Sequence, residues 1–261
     1  MIDTHCHLDL EPLVLRLPEI LQEASAAGVT GFVVPGVHPD GWQRMLELAT
    51  EYPQIMPALG IHPMHAAFAD DRFLVQLTDQ ARHGIAIGEI GLDPSYPVEA
   101  AIQENAFREQ LRLAVKLGLP VLVHCRKVFQ RTLQIMREER VGQVGGIMHA
   151  FSGSTEMARE FIRLGFDISI SGTITWKNAV RPLRLASEMA LEHLVLETDA
   201  PDMTPQEYRG RFNRPAWMEA TASRLADIRG ISLEEVAAAT TANAKRVLRL
   251  GDNEACMPTK Q

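Results

Sequence analysis

The chain has 261 residues, 46% hydrophobic and 23% charged, with 26 Lys and Arg against 33 Asp and Glu for a formal net charge of -7. This composition excludes a disordered, collagen-like or coiled-coil chain. The acidic balance argues against broad electrostatic coating of nucleic acid, while leaving room for a small site whose positive charge comes from metal ions.

Eight short apolar runs recur along the chain, near 2–6, 31–37, 55–61, 84–90, 120–125, 145–150, 166–171 and 193–199. Each has the length of a strand, and the stretches between them have helical spacing. The clearest helix is predicted over 99–117, where Ile102, Ala106, Leu113 and Leu117 share a face before Gly118 and Pro120 end it. Eight β-then-α units in about 250 residues fit a single (β/α)8 TIM barrel of the α/β class. A doubly wound open sheet is the structural alternative, disfavoured because no G-x-G-x-x-G turn follows the first run. One domain is expected over 1–251, with two further helices in 215–250 and a flexible tail over 252–261 that has no periodic pattern. No apolar run approaches the roughly 20 residues of a membrane helix, and Met1-Ile2-Asp3 does not open a signal peptide. Cys6, Cys125 and Cys256 include no C-x-x-C pair, so neither a disulfide framework nor a zinc knuckle is indicated. The chain is read as cytoplasmic, monomeric and without a membrane partner.

Metal-ligating side chains fall at the ends of these runs: His5 and His7 on the first, Glu89 on the fourth, His124 on the fifth, His149 on the sixth and Asp199 on the eighth. Residues two apart in a strand face the same way, so His5 and His7 can grip one ion while Cys6 points away. All strand ends of a β/α barrel converge on one mouth, so the six become neighbours. Packing alone explains them poorly, because each unpaired buried polar group costs about 1–3 kcal/mol. Six ligands exceed the needs of one catalytic zinc, which points to two divalent ions bridged by a carboxylate. Glu89 is the expected bridge, a metal-bound hydroxide the expected nucleophile, and Asp199 the general base that accepts the proton of the water from which it forms. On the loops after the strands, His62, Tyr96, Arg126 and Lys177 are the expected substrate contacts. Glu197 shares the face of Asp199 by parity and is read as support for it. His38, His65, His83 and His193 are expected to be solvated, and Cys125 to be a buried small residue.

Asp3-Thr4-His5-Cys6-His7, Gly60-Ile61-His62-Pro63, Gly88-Glu89-Ile90-Gly91-Leu92-Asp93, His124-Cys125-Arg126, His149-Ala150-Phe151-Ser152-Gly153 and Glu197-Thr198-Asp199-Ala200-Pro201 occur in this order over nearly the whole chain. Together they resemble the TatD family of metal-dependent deoxyribonucleases and hydrolases. Gly172-Thr173-Ile174-Thr175 and Asp199-Ala200-Pro201-Asp202-Met203 further resemble its YjjV-like branch. The resemblance implies an amidohydrolase-type barrel with His5, His7, Glu89 and Asp199 on one ion and Glu89, His124 and His149 on the other; it implies magnesium or manganese, and the nitrogen-rich ligand set also suits zinc. Asn243-Ala244-Lys245-Arg246-Val247-Leu248 keeps the Asn of the family's C-terminal pattern and lacks its usual Thr and Phe. The leading reading is a two-metal phosphodiesterase acting on DNA ends or a small phosphoester. Its alternatives are a binuclear hydrolase of a small amide, ester or lactone, a D-aminoacyl-tRNA deacylase, and a barrel that keeps metal without catalysis. Nucleic acid held only at the mouth predicts binding that collapses when metal is removed and depends mildly on salt.

Overall fold

The computed structural model describes residues 1–251; the expected tail over 252–261, including Cys256, lies outside the described residues. The strands are β1 (Ile2–Asp3), β2 (Gly31–Pro35), β3 (Ile55–Leu59), β4 (Ala86–Leu92), β5 (Val121–Cys125), β6 (Gly146–His149), β7 (Phe166–Ile170) and β8 (Leu194–Leu196). They pair in parallel, each with the next in chain order. Backbone bonds from Thr4 N to Leu196 O at 3.0 Å and from Asp199 N to His5 O at 2.8 Å join the last strand to the first. A ring of this kind is a barrel and not a doubly wound sheet. The helices are α1 (Leu17–Ala26), α2 (Trp42–Glu51), α3 (Asp71–Gln80), α4 (Ala100–Leu117), α5 (Phe129–Glu138), α6 (Thr155–Arg163), α7 (Arg181–Glu188), α8 (Met218–Arg229) and α9 (Leu233–Val247). No described helix is long and apolar enough to cross a membrane.

Alternation along the strands divides the apolar residues between two layers. Val33, Met56, Ala86, Leu122, Ile147 and Val195 fill the barrel interior, while Phe32, Val34, Ile87, Val121, Val123 and Met148 pack between sheet and helices. Continuing the inward parity of Leu122 and Ile147 up their strands reaches His124 and His149. Glu89 breaks the simple alternation: Ala86 lies inside, Ile87 and Ile90 outside, and the register with β5 shifts between Ile87 and Ile90. One irregularity of this kind re-aims a side chain across the sheet, and here it accompanies a carboxylate facing the interior.

Three sequence expectations need correction. The outer strands are shorter than predicted, because the ladder ends at Asp3 and at Leu196; His5, His7 and Asp199 therefore stand on turns beyond the strands. The buried face of α4 keeps Ala106 and Leu113 of the predicted set but is shifted from it. Ile102 is 39% exposed, whereas Gln103 and Gln110 are buried beside Ala106 and Phe107. Both glutamines pair with backbone: Gln110 Oε1 accepts from Ile61 N at 2.7 Å, Gln110 Nε2 donates to Ile61 O at 3.1 Å, Gln103 Oε1 accepts from Asp93 N at 2.8 Å and Gln103 Nε2 donates to Asp93 O at 3.0 Å. A polar residue on an inward helix face thus anchors the loops after β3 and β4, which compensates its burial. Third, His38 and His193 are engaged and not simply solvated. His38 Nδ1 accepts from Asp40 N at 3.2 Å and its ring meets that of His65 edge-on with centroids 4.7 Å apart; His193 Nδ1 lies 3.3 Å from Asp167 Oδ1.

The lower end of the barrel is closed by α9, whose Ala244 and Val247, with Leu248, pack on the interior cluster. Asn243 Nδ2 donates to Leu191 O and Leu194 O, both at 2.8 Å, fixing the start of β8. Arg246 Nη2 donates to Asp167 Oδ2 at 2.7 Å.

Candidate metal centre

At the opposite end, six expected ligands meet. His5 Nε2 lies 3.2 Å from Glu89 Oε2 and 3.7 Å from Asp199 Oδ1. His7 Nε2 lies 4.0 Å and 3.7 Å from the same two oxygens. The other oxygen of Glu89, Oε1, faces His124 Nδ1 at 2.8 Å, His149 Nε2 at 3.6 Å and His62 Nε2 at 3.6 Å. One carboxylate therefore turns an oxygen to each of two nitrogen clusters. Atoms of His5, His7 and Asp199 fall within 4.8 Å of one another, as do those of His62, Glu89 and His124 and those of His5, His149 and Glu197.

The chemistry of the donors fits a divalent ion. Both nitrogens of buried His5 and Nδ1 of His7 have no hydrogen-bond partner, although buried polar groups are ordinarily paired. His5 and His149 stack with centroids 3.4 Å apart, and the Nε2 of each lies 3.7 Å from Asp199 Oδ1. His149 Nδ1 pairs with Glu197 Oε2 at 2.9 Å, and Glu197 Oε1 accepts from Ala150 N at 2.8 Å. A carboxylate behind a histidine fixes the ring and leaves its other nitrogen for metal.

Electrostatics sort the same groups. Burial and the neighbouring His149 push His5 down to about 4, and burial takes His62 down to about 3, so both are neutral at pH 7. Burial opposes charge on His149 too, but Glu197, Asp199 and Glu89 outweigh it and lift the ring to about 10. His124, half-buried between Asp93 and Glu89, is raised to about 9 because those two bonds exceed the burial effect. Glu89 is held well below the usual carboxylate range: burial works against ionisation, and the surrounding histidines prevail. Burial pushes Asp199 up.

Local backbone geometry presents these side chains. Asp199, Ala150 and Lys127 adopt left-handed φ of 55°, 43° and 66° just beyond β8, β6 and β5, conformations uncommon for residues other than glycine and found where a turn re-aims the chain. At Gly91, with φ +154°, a Cβ would sit 1.8 Å from His124 O; only glycine lets β4 and β5 approach closely enough to seat Glu89 and His124 together.

The expected substrate residues are dispersed. His62 lies inside the ligand cluster, and its ring meets Tyr96 edge-on at 5.4 Å. Arg126 is exposed, its Nη1 3.4 Å from Ser95 Oγ, and lines a cavity of about 600 Å³ that opens from His124 and His149. Lys177 is exposed and pairs through its backbone N with Gln206 Oε1 at 3.2 Å; its neighbours Trp176 and Asn178 line the cavity instead. Cys125 is buried, with Sγ 3.2 Å from Thr132 Oγ1, and its thiol is pushed up to about 12, chiefly by burial.

The family model described as TatD related DNase matches residues 2–249. The chain belongs to this family. It is 36% identical over 253 residues to the metal-dependent hydrolase YabD of Bacillus subtilis, covering 96% of this chain and 99% of that protein. It is 31% identical over 263 residues to mouse TATDN3, provisionally named a deoxyribonuclease, covering 95% and 87% respectively. Among solved structures, the TatD homologue YjjV of Escherichia coli superposes with a TM-score of 0.89 at 32% identity, over 96% of this chain and 98% of that one.

Two residues of this TatD-related chain escaped assignment from sequence. Asp93, on the loop after β4, pairs through Oδ2 with His124 Nε2 at 3.0 Å. Asp3 accepts from Thr198 N at 2.9 Å and from Thr198 Oγ1 at 2.6 Å, tying the first strand to the turn that carries Asp199. Burial, against those bonds, raises Asp3 to about 7. The available signal was its burial-prone position in a strand, which an aspartate occupies only when paired.

Proposed function

We propose that this TatD-family hydrolase is a two-metal phosphodiesterase that removes nucleotides from DNA ends, acting as a monomer whose ligands all come from one chain. The observation supporting this reading is the split of Glu89, Oε2 toward His5 and Oε1 toward His124. His5, His7 and Asp199 would hold one ion, His124 and His149 the other, and Glu89 would span them. Divalent ions held by these residues would supply an activated water and neutralise charge developing on a phosphoryl oxygen. The nitrogen-rich set favours zinc or manganese over magnesium.

The chain's own groups supply the rest. Asp199, whose burial raises its proton affinity, receives the proton of the attacking water as general base. His62, kept neutral by burial, donates a hydrogen bond to the leaving oxygen. Arg126 holds a phosphate oxygen at the cavity wall, Tyr96 borders the leaving group, and Lys177 adds positive charge outside the mouth.

The test is release of mononucleotides from a single-stranded DNA oligomer with magnesium, manganese and zinc, comparing wild type with Glu89→Ala at equal folded concentration. Metal-dependent release by wild type and none by the variant is expected. No release with any metal overturns the nuclease reading and moves the search to small esters and lactones.

A further inference from the structure

β8 ends at Leu196, and Asp199 stands three residues further on with a left-handed φ of 55°. A residue other than glycine stays in that conformation only where its surroundings over-determine the backbone. Two clamps do so here. From the first strand, Asp3 accepts from Thr198 N at 2.9 Å and from Thr198 Oγ1 at 2.6 Å, and the same hydroxyl accepts from Ala200 N at 3.2 Å. From the opposite side, Asn213 donates through Nδ2 to Thr198 O at 2.8 Å and through its backbone N to Pro201 O at 2.8 Å. Asn213 thus grips the chain one residue before and two residues after Asp199. Its Oδ1 accepts from Arg214 N at 2.9 Å. Arg211 and Phe212, immediately before it, are exposed, whereas Asn213 and Thr198 are buried. A buried asparagine following an exposed stretch of loop is placed there for its hydrogen bonds, since burial of an unpaired amide is costly.

We propose that Asn213 and Thr198 are positioning residues for the metal centre: by fixing the backbone on both sides of Asp199, they hold its Oδ1 where it can share an ion with His5 and His7. The inference rests on Asp199 serving as a metal ligand and not on the identity of the substrate. Asp199 Oδ1 lies 3.7 Å from His5 Nε2 and 3.7 Å from His7 Nε2. The same turn is sewn to both histidines, through Asp199 N to His5 O and His7 N to Ala200 O, each at 2.8 Å. A turn released by Asn213 or Thr198 therefore disturbs three ligands of one ion together. Glu89 and His124 stand on β4 and β5, and His124 has its own brace in Asp93 at 3.0 Å. The effect is accordingly confined to one of the two ions.

Cobalt(II) alone is the probe, titrated into protein stripped of metal. Its visible absorption counts the ions bound, and competition with a chelating dye reads their affinities. Wild type is expected to take up two. Asn213→Ala and Thr198→Val, the second trading only a hydroxyl for a methyl, are each expected to weaken one ion about ten- to a hundredfold. That ion is the one Asp199→Ala weakens, and the other keeps its wild-type affinity. Thr198→Ser, which restores the hydroxyl, is expected to recover most of the loss. Asn243→Ala is the control for stability, because it likewise strips an amide donor from backbone carbonyls, at the far end of the barrel. Wild-type affinities in Asn213→Ala and Thr198→Val, or losses that Asn243→Ala reproduces, overturn the positioning role. A single ion in wild type sinks the two-metal reading; the positioning role then stands or falls on whether Asn213→Ala weakens that ion while Asn243→Ala does not. Two ions and the expected losses, without release of mononucleotides from DNA, keep the positioning role and sink the nuclease.

Discussion

The carboxylate of Glu197 pairs with His149 and sets what that ring can do. Its Oε2 lies 2.9 Å from Nδ1, orienting Nε2 toward the centre, and its charge raises the ring's basicity. Replacing Glu197 with Gln keeps the shape and removes the charge. Metal affinity is expected to fall by about ten- to a hundredfold, the usual effect of losing such a partner, as read by competition with a chelating dye. Unchanged affinity would show that His149 is oriented by packing alone. Glu197 was legible from sequence by its parity with Asp199, and it stands directly after β8, where its N still bonds to Ile170 O at 3.1 Å. Asp93 and the placement of His62 were not, since both stand beyond strand ends, where turn geometry and the buried amides of Gln103 and Gln110 decide direction.

At the level of elements, the β-then-α rhythm was legible because alternation inside the ring and the apolar faces of the helices follow directly from spacing. Strand length was not: β1 and β8 stop early because their continuations bend into ligand-bearing turns, as the left-handed φ of 55° at Asp199 shows. The irregularity in β4 was equally hidden, since nothing in Ile87-Gly88-Glu89-Ile90 marks which residue loses its register. The lower end of β8 offers a test of how separable the two ends of the barrel are. Asn243→Ala leaves the carbonyls of Leu191 and Leu194 without their donor, an expected destabilisation of about 1–3 kcal/mol. Denaturant unfolding should report that loss while metal affinity stays at the wild-type value, because the residue sits at the far end from Asp199; a parallel fall in affinity would mean that β8 transmits the damage along its length.

For the whole molecule, protons and metal compete for the same fold. His124 and His149 are raised to about 9 and about 10 in the metal-free chain, above the ordinary value of about 6.5 that an unfolded histidine has. Their contribution to metal-free stability is therefore full below pH 6.5 and fades as pH rises through 9 to 10. Coordination needs the neutral rings, so loading near pH 7.5 is expected to release protons, about one or more per chain. Titration calorimetry in buffers of different ionisation enthalpy should give apparent enthalpies that differ accordingly, and the stabilisation by metal should widen as pH rises. Identical enthalpies in all buffers would contradict protonated rings. The seam of the ring has a consequence for biosynthesis. His5 and His7 emerge first, but Thr4 bonds to Leu196 and Asp199 to His5, so the first strand has its place only once the last has been made. With the proposed ligands drawn from both ends of the chain, the site is complete only in the finished barrel, and metal is expected to enter there and not on the nascent chain.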